Sequence, residues 1–263
     1  MKLKEGILDN ISNNAYHSDK EYESSSTLKK MFENPKEYYR TRVKGEEAYI
    51  PPRLQEAFDF GSYLHTLILE PHLLDHEYHI GTEGEVGKKS ISMDNAVLAN
   101  KMFNKYNKET IELGEQGKES LVKLNTFIEG GIAEQTLCTT LDGIKVKVRP
   151  DYRREFLDHG QIVDVKTTSE ASLTPYKVDK ICAKYGYALS AALYVDVVQQ
   201  LTGIEQEFYF LFLSKKGINQ VEIFKASDSF LERGRKQYTL ALKRLKKARE
   251  TGIYYAANVP ELI

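Results

Sequence analysis

Hydrophobic and polar positions switch between helical and strand-like spacing along the chain. Four hydroxyl residues, Ser24 to Thr27, are suited to capping a helix, and Leu28, Met31 and Phe32 follow at helical spacing. Asn34-Pro35 interrupts, and residues 36–39 resume. Residues 54–71 read as a buried helix, with Phe58, Leu64, Leu67 and Ile68 apolar and Glu70-Pro71 closing it. From Ser92 to about Leu124 the pattern predicts polar helix broken by glycines. Three strands are expected next, over 132–140, 144–156 and 162–168. Helices over 175–185 and 187–201 lead to two more strands, 205–214 and 218–226, joined by the hairpin signal Lys215-Lys216-Gly217. Ser227-Asp228 can cap a last helix that Thr251-Gly252 ends. The order predicts a central mixed sheet flanked by helices, an α/β or α+β domain.

Composition narrows the class. The 263 residues contain no Pro/Gly/Ser-rich linker and no repeat, so one domain over 1–263 is expected. With 41% hydrophobic residues, 17 Tyr and 11 Phe, the composition is globular, not disordered. Two cysteines, Cys138 and Cys182, cannot build a disulfide framework or a four-cysteine cluster and fit a reducing cytoplasm. The first residues lack the apolar stretch of a signal peptide, and the longest apolar run, 208–213, is too short to cross a bilayer. A cytoplasmic protein without membrane contact is expected. The net charge of −1 means that any nucleic-acid contact must use a local basic patch.

The candidate chemistry lies at Asp151 and, thirteen residues on, Asp164-Val165-Lys166. On a strand Asp164 and Lys166 share one face, while Val163 and Val165 pack on a core from the other. A hairpin folded near His159 places Asp151 opposite Lys166 to within a residue. Two carboxylates and an ammonium then meet on a sheet surface. Carboxylate oxygens suit Mg²⁺, and a neighbouring lysine can hold an anion or a water. The alternative is a solvated sheet face with a weak cross-strand ion pair.

Other positions carry two readings each. His65, one turn after Gly61, is either a satisfied core histidine or a nitrogen ligand from a helix packed over the hairpin. Glu134 is either an exposed strand carboxylate or a group that holds a second metal or a metal-bound water. Tyr187, Ser190 and Tyr194 share one helix face; Tyr187 reads as core, and Tyr194 as a hydroxyl reaching a substrate phosphate. Lys29, Lys30 and Arg40 are candidate phosphate contacts. Lys243, Arg244, Lys246 and Lys247 read first as a solvated helix face.

The set Gly61-x-x-x-His65, Arg149-Pro150-Asp151, Asp164-Val165-Lys166 and the helix from Tyr187 to Tyr194 resembles the PD-(D/E)xK nucleases of the RecB/RecE type. Residues 16–39 and the Leu64–Pro71 stretch are similar to the phage and prophage exodeoxyribonucleases of the exonuclease VIII group. The resemblance implies a restriction-endonuclease-like core. It implies Mg²⁺ or Mn²⁺, one or two per site, on His65, Asp151, Asp164 and the Val165 carbonyl, with Lys166 orienting or activating water; Arg149 is a candidate substrate contact beside them. It further implies stepwise 5′-to-3′ digestion of linear duplex DNA, leaving a 3′ overhang for a single-strand annealing recombinase, by a ring of three or four subunits. Ser190 stands where the family often has Gln, and it cannot make the same two-ended hydrogen bonds. No iron–sulfur cluster is expected, because two cysteines cannot supply four ligands. Three readings follow: a DNA exonuclease, an endonuclease of the same fold, or a non-catalytic module that binds DNA or a partner on that scaffold.

Overall fold

A computed structural model of the chain describes residues 2–81, 85–113 and 120–255. The N-terminal part runs through β1 (Gly6–Leu8), α1 (Asn13–Ser18), α2 (Ser25–Glu33), α3 (Pro35–Tyr38), α4 (Pro52–Leu69) and α5 (Leu74–Glu77). Next come β2 (Tyr78–Ile80), β3 (Lys89–Ile91), α6 (Met93–Tyr106), β4 (Thr110–Leu113), β5 (Ser120–Lys123) and α7 (Leu124–Phe127). The central strands are β6 (Ile132–Ala133), β7 (Thr136–Leu141), β8 (Ile144–Val148), β9 (Tyr152–Glu155) and β10 (Gly160–Thr168). The chain closes with α8 (Pro175–Lys184), α9 (Tyr187–Thr202), β11 (Gln206–Ser214), β12 (Val221–Lys225) and α10 (Asp228–Thr251).

Local chemistry sets the boundaries. Ser24 caps α2 in a reciprocal box with Thr27. Asn34 ends α2, and its side chain accepts from the Glu37 amide to start α3. Ser227 caps α10, and Gly252, in the left-handed region at φ 73°, ends it. The expected helix from Ser92 to Leu124 ends at Tyr106. The hairpin β4–β5 follows, because Thr110-Ile111 and Leu121-Val122 favour strand pairing over a glycine-broken helix. Residues 114–119, which hold the glycines of that expectation, lie outside the described residues.

Five strands form the main sheet in the order β12-β11-β10-β9-β6, and β1-β7-β8 forms a second sheet. β10 and β11 run parallel over their full length, joined by α8 and α9, while the other neighbours are antiparallel. The expected mixed sheet is therefore present. Side-chain alternation along β10 feeds two cores. Ile162 packs with α2, α9 and α10, while Val163 and Val165 pack with α4 and α6. Both faces of the sheet are covered, so the alternative of a solvated sheet face does not hold at Asp164, which is 5% exposed.

Two of the expected strands are each broken where the chain passes from one sheet to the other. The first divides at Glu134-Gln135, between β6 and β7, and the second at Arg149-Pro150-Asp151, between β8 and β9. Pro150 has no N–H for a ladder, and Glu134 adopts φ 49°, a left-handed conformation rare for a side chain of this kind. The two breaks are tied together, since the Glu134 amide donates to the Asp151 carbonyl at 3.2 Å.

Candidate metal centre

The site grows out of the end of a ladder. β9 pairs with β10 from Gly160↔Glu155 to Val163↔Tyr152 and then stops. The turn is centred on Leu157-Asp158, so Asp151 falls beside Asp164 and not, as expected, beside Lys166. Beyond Tyr152 the backbone of Val165 has no strand partner on that edge, and buried polar backbone groups need one. Asp151 Oδ2 accepts from the Val165 N–H at 2.6 Å. The Val165 carbonyl accepts from His65 Nε2 at 2.7 Å. A carbonyl only accepts, so His65 carries its proton on Nε2, and Nδ1 faces Asp151 Oδ2 at 3.6 Å. The alternation of β10 sends Lys166 to the Asp164 side, where the two form an ion pair.

Helix α4 delivers His65 because its apolar stripe of Phe60, Leu64 and Leu67 packs on the α6 side of the sheet. Helix α9 covers the opposite face, and its spacing of three and four places Tyr187, Ser190 and Tyr194 along one side. Helix α9 is held by α10. Arg235 clasps the Asp196 carboxylate and Tyr238 donates to it at 2.5 Å. At Gly234 a Cβ would lie 1.9 Å from the Ala188 carbonyl oxygen, so only glycine permits this approach.

Charge is concentrated here. Burial, then the neighbouring Asp151, pushes the Glu134 carboxyl up to about 8. Burial also raises Asp164, with Asp151 adding to it against the pull of Lys166. Burial works against the Lys166 ammonium, yet Asp164 and Asp151 outweigh it and hold its proton above the usual lysine range. Ligand atoms of His65, Glu134 and Asp151 all lie within 4.8 Å of one another. One nitrogen and several carboxylate oxygens, crowded and partly neutralised by proton uptake, fit a divalent cation.

The model of a PDDEXK-like domain of unknown function (DUF3799) matches residues 24–254. The chain belongs to that family. Its fold, with helices on both faces of a mixed sheet, is that of a restriction-endonuclease-like core. The PDDEXK-like chain is similar to a crystal structure described as a "putative exonuclease" from Eubacterium rectale, with TM-score 0.67, 17% identity, and coverage of 94% of this chain and 89% of that one. At that identity the likeness speaks to the fold alone. A crystal structure of SSO0001 overlaps 44% of this chain and 55% of that chain at 12% identity, and its TM-score of 0.28 carries no argument. No curated protein sequence matches the chain. Membership supports nuclease chemistry, and divalent metals are usual in PDDEXK nucleases.

Of the sequence-predicted residues, the PDDEXK-like fold brings His65, Glu134, Asp151, Asp164, Val165 and Lys166 together. Lys29 joins them: its ammonium sits 5.3 Å from the Tyr187 ring centre, and the Lys166 ammonium sits 5.2 Å from the same ring. Burial, then the Lys166 charge, lowers Lys29 to about 8. Tyr187, expected only as core, packs on Phe210 and also lines the groove beside Lys166. Tyr194 lines a second groove on the other side of His65, and burial raises its phenol well above the ordinary value. Ser190 lies between these two tyrosines on α9 and makes no side-chain hydrogen bond among the described residues.

Three expected substrate contacts are engaged elsewhere. Lys30 pairs with Glu37 at 3.1 Å, and Arg40 pairs with Glu46 at 2.6 Å. Arg149 is buried against the Tyr16 ring, and its guanidinium donates to Thr136, Asn13 and the Ile11 carbonyl. Lys243, Lys246 and Lys247 are exposed on α10, while Arg244 donates to the Phe32 carbonyl. Sequence reading missed Phe58, Lys180, Lys184, Tyr185 and Lys215, which line the groove beside Lys166. Lys180 and Lys184 are one turn apart on α8 and Tyr185 ends it, but Phe58 on α4 and Lys215 after β11 share no spacing with them that would join the set. Among the described residues, no single helix is long and apolar enough to cross a membrane.

Proposed function

We propose that this PDDEXK-like domain is a metal-dependent DNA exonuclease acting on linear duplex ends. The observation that carries the reading is the ladder end at Val165, whose carbonyl sits with His65, Asp151 and the Asp164–Lys166 pair at the head of a basic groove. His65, Glu134, Asp151, Asp164 and the Val165 carbonyl would hold Mg²⁺ or Mn²⁺. A divalent ion bound there supplies positive charge that stabilises a phosphate under attack. Lys166 keeps its proton, so it serves as a fixed charge and donor that orients the nucleophile, not as a base. Tyr187 and Lys29 back that ammonium and face the phosphate side. Arg149 positions the strand break that carries Asp151.

Groove asymmetry supports an exonuclease over an endonuclease. The second groove carries Glu70, Glu77 and Glu134 against Lys89 and the engaged Arg149. With Glu134 neutralised by a proton or the metal, these charges balance, so a phosphate backbone continuing past the site meets none of the lysine excess of the first groove there. The name of the Eubacterium rectale relative points the same way. Resemblance to the exonuclease VIII group adds 5′-to-3′ polarity, a ring of three or four subunits and an annealing recombinase as partner, and the two free cysteines suit a cytoplasmic setting. The test is digestion of linear duplexes labelled at the 5′ or 3′ end, with Mg²⁺, Mn²⁺ or EDTA, with free or blocked ends, and with native mass measured alongside. Release of label from free ends only, with metal only, is expected. Cutting of end-blocked duplex overturns the exonuclease assignment, and cutting in EDTA overturns the metal.

A further inference from the structure

We infer that the groove beside Lys166 binds its DNA strand unpaired, stacking bases on Phe58 and Tyr185. Its choice of DNA as occupant rests on the nuclease reading above. The groove has a volume of about 960 Å³ and runs between α4, the end of β10 and α8. Its lining carries Lys166, Lys177, Lys180, Lys184 and Lys215 against one carboxylate, Glu170, which pairs with Lys177. In a chain of net charge −1 this is a local reversal of sign. It fits a polyanion.

The aromatic side chains decide which polyanion. Phe58 is 50% exposed and Tyr185 51% exposed, and both line this groove. Phe58 lies two residues before Phe60, on the side of α4 turned from the core that Phe60 fills. Lys180 and Lys184 rest on the rings of Tyr176 and Tyr185, not on carboxylates, so their charge remains open to a ligand. Tyr185 also stacks on Tyr187 at 5.7 Å, and a base takes its place on the Tyr185 ring as the flexible Lys184 side chain turns from the ring to a phosphate. A paired duplex offers a protein its phosphates and the edges of its bases; base faces become available only when the strand is unpaired. Aromatic rings interleaved with lysines, ending at the metal centre, match a single strand whose phosphates follow the lysines and whose bases stack.

The test is fluorescence anisotropy in EDTA, where no strand is cut, using labelled oligothymidylate of about fifteen nucleotides. Wild-type protein is expected to bind it. One lost stacking contact is worth about 1–3 kcal/mol, so Phe58→Ala and Tyr185→Ala should each weaken binding roughly tenfold. Tyr185→Phe should bind as wild type, because stacking needs the ring and not the hydroxyl. Lys180→Gln and Lys184→Gln should flatten the salt dependence. Alanine variants that bind as wild type overturn the proposal, and so does tighter binding of oligouridylate than of oligothymidylate. Cleavage of duplex with Mn²⁺ separates the two readings. Protein that cuts DNA but binds the strand independently of Phe58 and Tyr185 loses the groove alone. Protein that binds through them yet cuts nothing loses the nuclease reading and keeps the single-strand groove.

Discussion

His65 and Val165, a hundred residues apart in the chain, are joined by a 2.7 Å hydrogen bond from the imidazole Nε2 to the carbonyl. The bond satisfies a backbone group that the sheet has abandoned, and it points both partners into the same small space. With the Nε2 proton given to the carbonyl, the Nδ1 lone pair facing Asp151 is the one open to a cation. His65→Ala is expected to fold, because the ring is a quarter exposed at the edge of α4. It should lose at least about tenfold in Mn²⁺ affinity. Calorimetric titration of metal into both proteins checks this, and equal affinities would remove His65 from the site.

Asp151 has two duties that a pair of substitutions separates. Its carboxylate accepts the Val165 N–H and also supplies charge to the cluster. Asp151→Asn retains an acceptor and should fold near wild type while losing metal binding and about a thousandfold in cleavage. Asp151→Ala also orphans a buried amide and should cost about 1–3 kcal/mol of stability. Urea melts of the two variants, run beside cleavage assays, check the split.

Asp164 and Lys166 should fail in different ways. Asp164→Ala is expected to abolish cleavage together with metal binding. Lys166→Ala should abolish cleavage while retaining metal, since the carboxylates stay and a repelling charge is gone. It should also lower stability, because Asp164 is left buried without its partner. Metal binding lost equally in both variants would place Lys166 among the residues that build the centre instead of those that act on the phosphate.

Much of this centre was readable from the chain. Asp-Val-Lys on a strand with apolar residues on alternate positions placed Asp164 and Lys166 on one face, and the cap and breaker residues placed α2, α4 and α10. The register was off because a four-residue turn can be centred on either Leu157-Asp158 or His159, and only the pairing fixes which. The sheet change at Arg149–Asp151 escaped because 144–156 reads as one β-prone run; Pro150 was its single cue. Lys30, Arg40 and Arg149 were assigned to the substrate by charge; Glu37 and Glu46, close by in the chain, pair with the first two at the surface, while Thr136 and Asn13 bind Arg149 from elements that only tertiary folding brings near.

Without metal the cluster should make stability fall with rising pH. Glu134 has a folded-state value of about 8 against an ordinary 4.5, raised by burial and then by Asp151. Its contribution is fully present below the unfolded value and is lost as pH rises through the folded one. Asp164, also raised, acts in the same direction. Between pH 5 and 8 the metal-free protein should lose up to roughly a few kcal/mol, and Mg²⁺ or Mn²⁺ should flatten the curve. Glu134→Gln should flatten it without metal. Melting temperatures across the window check the sign, and a rise toward pH 8 in EDTA would contradict it.

Two helical glycines should respond to alanine with opposite signs. At Gly61 on α4 a Cβ would meet only the Thr167 hydroxyl at 3.8 Å, an ordinary contact. Gly61→Ala should therefore gain helix propensity, about 0.5–1 kcal/mol, and raise Tm. At Gly234 on α10 the same methyl would stand 1.9 Å from the Ala188 carbonyl oxygen and 2.8 Å from Ala192 Cβ. Backbone cannot step aside as a side chain can, so α10 and α9 must separate. Overpacking of this kind costs about 1–3 kcal/mol or more. The displaced helix carries Tyr187 next to Ala188, so the Lys166 ammonium loses the ring behind it and cleavage should fall even well below Tm. Thermal melts and cleavage rates on the two variants check both halves. A Gly234→Ala protein as stable and active as wild type would mean that α9 is not held in place by this crossing.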